Sequence, residues 1–303
     1  MHKNLTRFLA LTSILWLSLI IGCSPSTENT THGYVDTGST RAEARATGKA
    51  TLTVLYVEAD GFAYRNADNE LDGLTIDIMR DFVSWFERYH ATQVELNFVA
   101  EENWQTFYQR IVNAQGGVFG LGNVTITEAR KAELQFSPPY LDNVAVLITN
   151  TDTPELASWE AFPETFADLR PLAFAGTLHE QRIQALRDEY QPNADIELVT
   201  SNPDILSLVA NEEFYSYIDA YNYWRAVEQG VALKHHPIAN EIGETFGIIM
   251  PHNNDWSVLL TAFFAAEGGY RNTERYQALL QHHLGAELAA TLEEARRHNS
   301  LME

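Results

Sequence analysis

Thr125, Thr127 and Arg130 have the types and spacing needed to hold a small anion. They fall within residues 122–140, GNVTITEARKAELQFSPPY, where the β-rich run GVFGLGNVTI delivers the chain to Thr127. Thr127 can cap a helix opening at Glu128, so unpaired backbone N–H groups and the Arg130 guanidinium converge on one turn. A carboxylate fits there, because the planar fork of arginine bonds it bidentately. Asn123 belongs to the same run and is counted with these residues. A second turn of this kind is Gly176-Thr177, where Thr177-x-x-Glu180 is a capping-box pattern at a helix entry whose positive end favours an anion.

Other chemistries are set aside on spacing. His179-Glu180 begins like H-E-x-x-H, but Ile183 stands where the second zinc ligand is required. Residues 68–73, DNELDG, imitate the start of an EF-hand loop, yet Ile76 and Met79 occupy ligand positions. The pairs His235-His236 and His282-His283 cannot both face one metal on regular structure, so no metal and no cofactor are expected. G-x-S-x-G, P-loop and G-x-G-x-x-G patterns are absent, and the chain reads as a binding protein, not an enzyme.

The elements that must position these residues follow from periodicity. Residues 51–57 form an apolar strand; a helix over 72–89 carries the stripe Leu74, Ile78, Phe82 and Phe86. A strand at 94–99, a helix at 104–112 with Trp104, Phe107 and Ile111 inward, and a strand at 116–126 complete a β-α-β-α-β run, which requires parallel strands and right-handed crossovers. The order repeats with strands at 172–174, 196–199 and 214–218 and helices after Thr177 and at 204–210. Extended segments 144–149 and 245–250 serve as crossovers, and amphipathic helices follow at 255–267 and 272–284. Two open α/β lobes built this way surround one cleft at their strand C-terminal ends, with lobe I at 51–144 plus 245–303 and lobe II at 145–244.

A net charge of −21 makes nucleic acid an unsuitable partner. Lys3 and Arg7 precede an apolar run from Phe8 to Ile21, which describes a signal peptide over residues 1–22. Cys23 is the single cysteine, so disulfides within the chain are excluded. The sequence Ile20-Ile21-Gly22-Cys23 resembles a bacterial lipobox, implying lipidation at Cys23 and a membrane anchor on the periplasmic side of the cell envelope. Residues 23–50 read as the lipidated cysteine and a flexible tether.

The pattern T-I-T-x-x-R-x-x-x-x-x-F-S-x-P-Y over residues 125–140 resembles the motif of bacterial family 3 extracellular solute-binding proteins, which capture amino acids for ABC transporters. NELDGLTIDIMRDF, Asn103-Trp104, GTLHEQRI and ETFGIIMPHNNDW are similar to further family segments, in the family's order. The resemblance implies a two-lobed, type II periplasmic-binding-protein-like (venus-flytrap) α/β fold, a monomer, an amino-acid ligand and an ABC permease as partner. It implies that Thr125 and Arg130 hold an α-carboxylate, that Thr177 contributes from the opposite lobe, and that Asp219 takes the α-ammonium. Trp104 would wall the ligand side chain, with Asp60 and Phe62 reading its far end. Val118 and Phe214 stand where the family commonly has Asp. Alternatives that the resemblance leaves open are a ligand-sensing subunit for a separate partner and an enzyme similar to cyclohexadienyl dehydratase.

Overall fold

The computed structural model describes residues 35–297 except 212, 287, 291, 294 and 295; the signal segment and Cys23 lie outside the described residues. The strand Lys49–Tyr56 buries Leu52, Val54, Leu55 and Tyr56 and lies between two parallel partners, Gln93–Ala100 and Val118–Thr125. Both faces are covered, as parallel sheets require. The helix Leu74–Tyr89 covers one face with the expected stripe, and Ile76, Met79 and Val83 widen it. The helix Trp104–Asn113 covers the other through Phe107 and Ile111, which meet Leu55, Val118 and Ile249 in one apolar cluster. The helices Ser257–Ala265 and Glu274–Leu284 pack beside Leu74–Tyr89.

The second lobe repeats this logic. Arg170–Phe174 runs parallel to Glu197–Val199 on one side and to Phe214–Asp219 on the other. The helices Leu178–Tyr190 and Asn202–Asn211 lie in separate apolar clusters around these strands. Two long strands, Leu141–Asn150 and Glu241–Met250, join the halves. They pair antiparallel to each other, with Thr245 opposite Asp142 and Phe246 opposite Leu141. The first also pairs with Phe214–Asp219 and the second with Val118–Thr125, so a continuous hydrogen-bonded path passes from one lobe into the other.

Three sequence expectations change. The tether does not extend to residue 50, because residues 35–50 are built into the body. The helix Arg41–Thr47 starts with a capping box between Thr40 and Glu43, and Trp256 donates its indole N–H to the Ser39 carbonyl at 2.8 Å. Arg110 grips Asp36 with two hydrogen bonds of 2.9 and 2.8 Å. This segment has one buried helical residue, Ala44, so it carries no apolar period to read. Secondly, the helix Ala220–Glu228, absent from the sequence reading, follows directly on Asp219. Thirdly, the helix expected over 255–267 ends at Ala265, where Glu267 (φ 55°) and Gly268 (φ 81°) turn the backbone left-handed.

Val118 and Phe214 are fully buried among apolar neighbours, and the Arg170 guanidinium lies 4.1 Å from the Phe214 ring centroid. Packing thus replaces any carboxylate interaction at both positions. Among the described residues, no helix is long and apolar enough to cross a membrane.

His236 anchors lobe II from within. Its Nδ1 accepts the Leu156 N–H at 3.0 Å, so Nε2 carries the proton and donates to Thr149 Oγ1 at 2.9 Å. Burial, with the positive charges of Lys234 and His235 adding to it, lowers its pKa from 6.5 to about 4. The unfolded chain therefore takes this proton first. Stability from neutral His236 is complete above about pH 6.5 and is lost as pH falls toward about 4, a change of roughly 3 kcal/mol. Urea denaturation of wild type and His236→Asn should show a shallower loss between these pH values in the variant.

Candidate functional site

The cleft between the lobes has a volume of about 790 Å³ and is lined by residues from both. On the lobe I wall, Val118–Thr125 ends at the turn expected from sequence. Thr127 accepts the Arg130 N–H through its hydroxyl at 3.2 Å and caps the short helix Glu128–Lys131. The cap directs Arg130 back along the strand, where Nη1 donates to the Thr125 carbonyl at 3.0 Å. The guanidinium lies 5.3 Å from the Trp104 ring centroid and 5.9 Å from that of Tyr108, and these two rings stack at 5.4 Å. Tyr108 donates its hydroxyl to Glu133 at 2.7 Å, and burial pushes its pKa up, so it stays protonated. Burial lowers the pKa of Arg130, opposed by the charges of Asp219 and Glu133. A half-desolvated guanidinium with one described side-chain hydrogen bond retains donors for an incoming anion.

The lobe II wall differs from the capping-box expectation. Thr177 begins the helix Leu178–Tyr190 without capping it; its hydroxyl donates to the Phe174 carbonyl at 2.8 Å. Glu180 accepts from the Gly176 N–H at 2.6 Å instead of reaching Thr177. The helix start lines the cleft through Thr177, Leu178 and His179, and its first-turn N–H groups receive no side-chain cap. Asp219, at the end of its strand, also lines the cleft.

Asp219 has partners that the sequence did not reveal. Asn143 Nδ2 donates to it at 2.6 Å, and His179 Nε2 lies 3.3 Å from the same oxygen. Asn143 also donates to Glu244 at 3.2 Å, Glu244 pairs with Arg182, and Arg182 Nη1 lies 2.9 Å from His179 Nδ1. This closed circuit unites both joining strands with the helix start. Burial lowers the pKa of Arg182, while the charges of Asp219 and Glu241 oppose that. Of its members the sequence analysis singled out Asp219 and noted His179 only as a failed zinc motif. Spacings of about 35 to 100 residues between the others carry no local signal.

The remaining expected residues separate into wall and support. Asp60 and Asn123 line the cleft, as do Thr125, Trp104 and Arg130. Asp60 lies 3.3 Å from Arg225 of the helix Ala220–Glu228, a pair of an exposed carboxylate and a half-buried guanidinium that spans the opening. Phe62 stands behind the wall, buried in the lobe I core with its ring 4.5 Å from Tyr221, so its side chain supports that tyrosine instead of facing a ligand. Asn123 has a left-handed backbone (φ 51°), donates to the Tyr221 hydroxyl at 2.8 Å and accepts from the Tyr140 hydroxyl at 2.6 Å. Tyr221 sits within the lobe I cluster although it belongs to a lobe II helix, and a Cβ on Gly176 would stand 2.4 Å from the Gln105 side chain across the cleft. The walls are therefore in contact at several points around the cavity.

Two α/β lobes joined by paired strands, with an arginine turn on one wall and a helix start with a carboxylate on the other, define a cleft-type ligand-binding protein. Residues 53–286 match the model of the bacterial extracellular solute-binding proteins, family 3, and the chain belongs to that family. The fold is similar to that of a mutant of ArgBP from T. maritima, with 15% identity, a TM-score of 0.62 and coverage of 81% of this chain and 99% of that one. It is also similar to the arginine-, lysine-, histidine-binding protein ArtJ from Geobacillus stearothermophilus (14% identity, TM-score 0.61, coverage 78% and 96%). A third similar structure is the ancestral amino acid-binding protein AncCDT-1, a precursor of cyclohexadienyl dehydratase (18% identity, TM-score 0.57, coverage 80% and 98%). No curated protein matches the sequence.

Replacing Asn123 tests the contact between the walls. Asn123→Ala should destabilise the protein by about 2–4 kcal/mol in urea denaturation, since two buried tyrosine hydroxyls lose a partner and alanine tolerates the left-handed backbone poorly. Asn123→Gly should recover only the backbone share, about 1 kcal/mol.

Proposed function

We propose that this protein captures a free α-amino acid between its lobes and delivers it to an ABC permease, held at the membrane by lipid on Cys23. The observation that carries the reading is the placement of Arg130 and Asp219 on opposite walls of one cleft. In this reading Arg130, Thr125 and the uncapped helix start at Thr177 hold the α-carboxylate, and Asp219 takes the α-ammonium. Trp104 walls the side chain, and Asn123 and Asp60 complete the lining. A ligand that bonds both walls gains its full set of contacts only when the lobes are together, so binding draws them closed. Asn143 and His179 orient Asp219 for its share of the work.

Calorimetry of the full chain in detergent against the twenty common amino acids tests this. At least one should bind, and Arg130→Ala should weaken it about 100-fold or more, the loss expected for charge-assisted hydrogen bonds worth about 3 kcal/mol. Asp219→Asn should weaken the amino acid about tenfold or more while leaving its deaminated carboxylate analogue nearly unaffected. Unchanged affinity in Arg130→Ala rejects the assignment. Turnover of prephenate or arogenate would replace capture with a dehydratase activity.

A further inference from the structure

Away from the ligand-lining groups, the fold gathers Asp72, His282 and His283, whose potential ligand atoms all lie within 4.8 Å of one another. On regular structure the pair His282-His283 is not expected to face one metal, since consecutive helical positions diverge by about 100°. Their location changes that argument. They occupy the last turn of Glu274–Leu284, where the helix ends before Gly285, and their rings approach to 4.6 Å between centroids. Asp72 comes from the hairpin formed by Tyr64–Arg65 and Leu71–Asp72 and is brought to them by the helix Leu74–Tyr89 that follows it.

The carboxylates around His283 point the same way. The His283 side chain is fully buried; its Nε2 lies 3.2 Å from Asp77 Oδ2 and 4.0 Å from Asp72 Oδ1, while its Nδ1 is buried without a hydrogen-bond partner. Asp77 is itself held by Arg80 at 2.9 Å, with Arg275 at 3.8 Å, so its charge is already balanced. The Nε2 edge of His283 therefore faces Asp72, where an imidazole and a carboxylate could share one ion, with Asp77 beside them. Asp72 accepts the Gly73 N–H through Oδ1 at 2.8 Å, which orients its carboxylate and leaves the second oxygen free of described hydrogen bonds.

We propose that Asp72, His282 and His283 form a binding site for a divalent transition-metal ion of the zinc class. Two imidazoles and one carboxylate are a three-ligand set that water completes to four. Zinc bonds of about 2.0–2.2 Å place tetrahedral ligand atoms roughly 3.3 Å apart; the half-buried Asp72 carboxylate, 4.0 Å from His283 Nε2, and the exposed His282 side chain can both turn to close that gap. The ion would brace the loop that reaches the cleft. Tyr64 sets its ring edge toward His283 at 6.4 Å, and a Cβ on Gly61 would stand 2.8 Å from the His283 carbonyl. Tyr64 and Asp60 both line the cavity.

The test is titration of Zn²⁺ into the chelator-stripped full chain in detergent, by calorimetry and thermal unfolding. Wild type should bind one ion at micromolar or lower concentration with a rise in Tm. His282→Ala, which alters an exposed side chain, should weaken binding at least tenfold and abolish the rise while unfolding at the wild-type temperature without metal. Asp72→Asn should weaken it similarly. Absence of binding below millimolar Zn²⁺, or equal affinity in wild type and His282→Ala, overturns the site. Because the readouts are metal affinity and Tm, they stand apart from amino-acid binding.

Discussion

The structure depends on the antiparallel pairing of Leu141–Asn150 with Glu241–Met250. Each strand carries antiparallel neighbours from one lobe on its outer edge and meets the other strand on its inner edge. Without this shared ladder the two βαβ units would be separate bodies with no common cleft. The ladder also fixes Asn143 and Glu244 on facing strands, which places two partners of the Asp219 and Arg182 circuit at the junction itself. A polar circuit at that position ties the orientation of a cleft carboxylate to the geometry of the connection. Buried polar networks of this kind add directionality more than net stability.

The two walls solve the same problem by different means. On lobe I, a threonine cap turns Arg130 back over its own strand, and two stacked aromatic rings hold the guanidinium at a partly desolvated position. On lobe II, the helix start presents N–H groups because Thr177 spends its hydroxyl on Phe174 and Glu180 reaches Gly176. Charge of both signs on partly buried side chains across a cleft acts more strongly than it would on an open surface. The strained backbone of Asn123 belongs with this design, since its amide joins tyrosines from both walls.

The fold was legible wherever apolar spacing was long and regular. Leu74, Ile78, Phe82 and Phe86 marked a helix because burying one face at a period of 3.6 residues leaves no other solution. The helix Ala220–Glu228 escaped because Tyr221 and Tyr223 bury toward different clusters, one in each lobe, so no single stripe forms. The helix Arg41–Thr47 escaped because its stability rests on a capping box and on contacts to Asp255 and Trp256, more than two hundred residues away. The place of Phe62 behind the wall escaped for a related reason: an aromatic in a loop looks the same in sequence whether it faces a ligand or supports the residue that does.

By itself the sequence determined the repeated βαβ order, the capped arginine turn and the helix entry at Gly176-Thr177, because each arises from interactions within a few residues. The tertiary structure alone decided which distant side chains meet. It brought His179, Asn143, Arg182 and Glu244 around Asp219, placed Phe62 behind Tyr221, and gathered Asp72 with two adjacent histidines. Those encounters depend on strand register and helix placement across the whole chain, and pairwise contacts at such separations have no local energetic trace in the sequence.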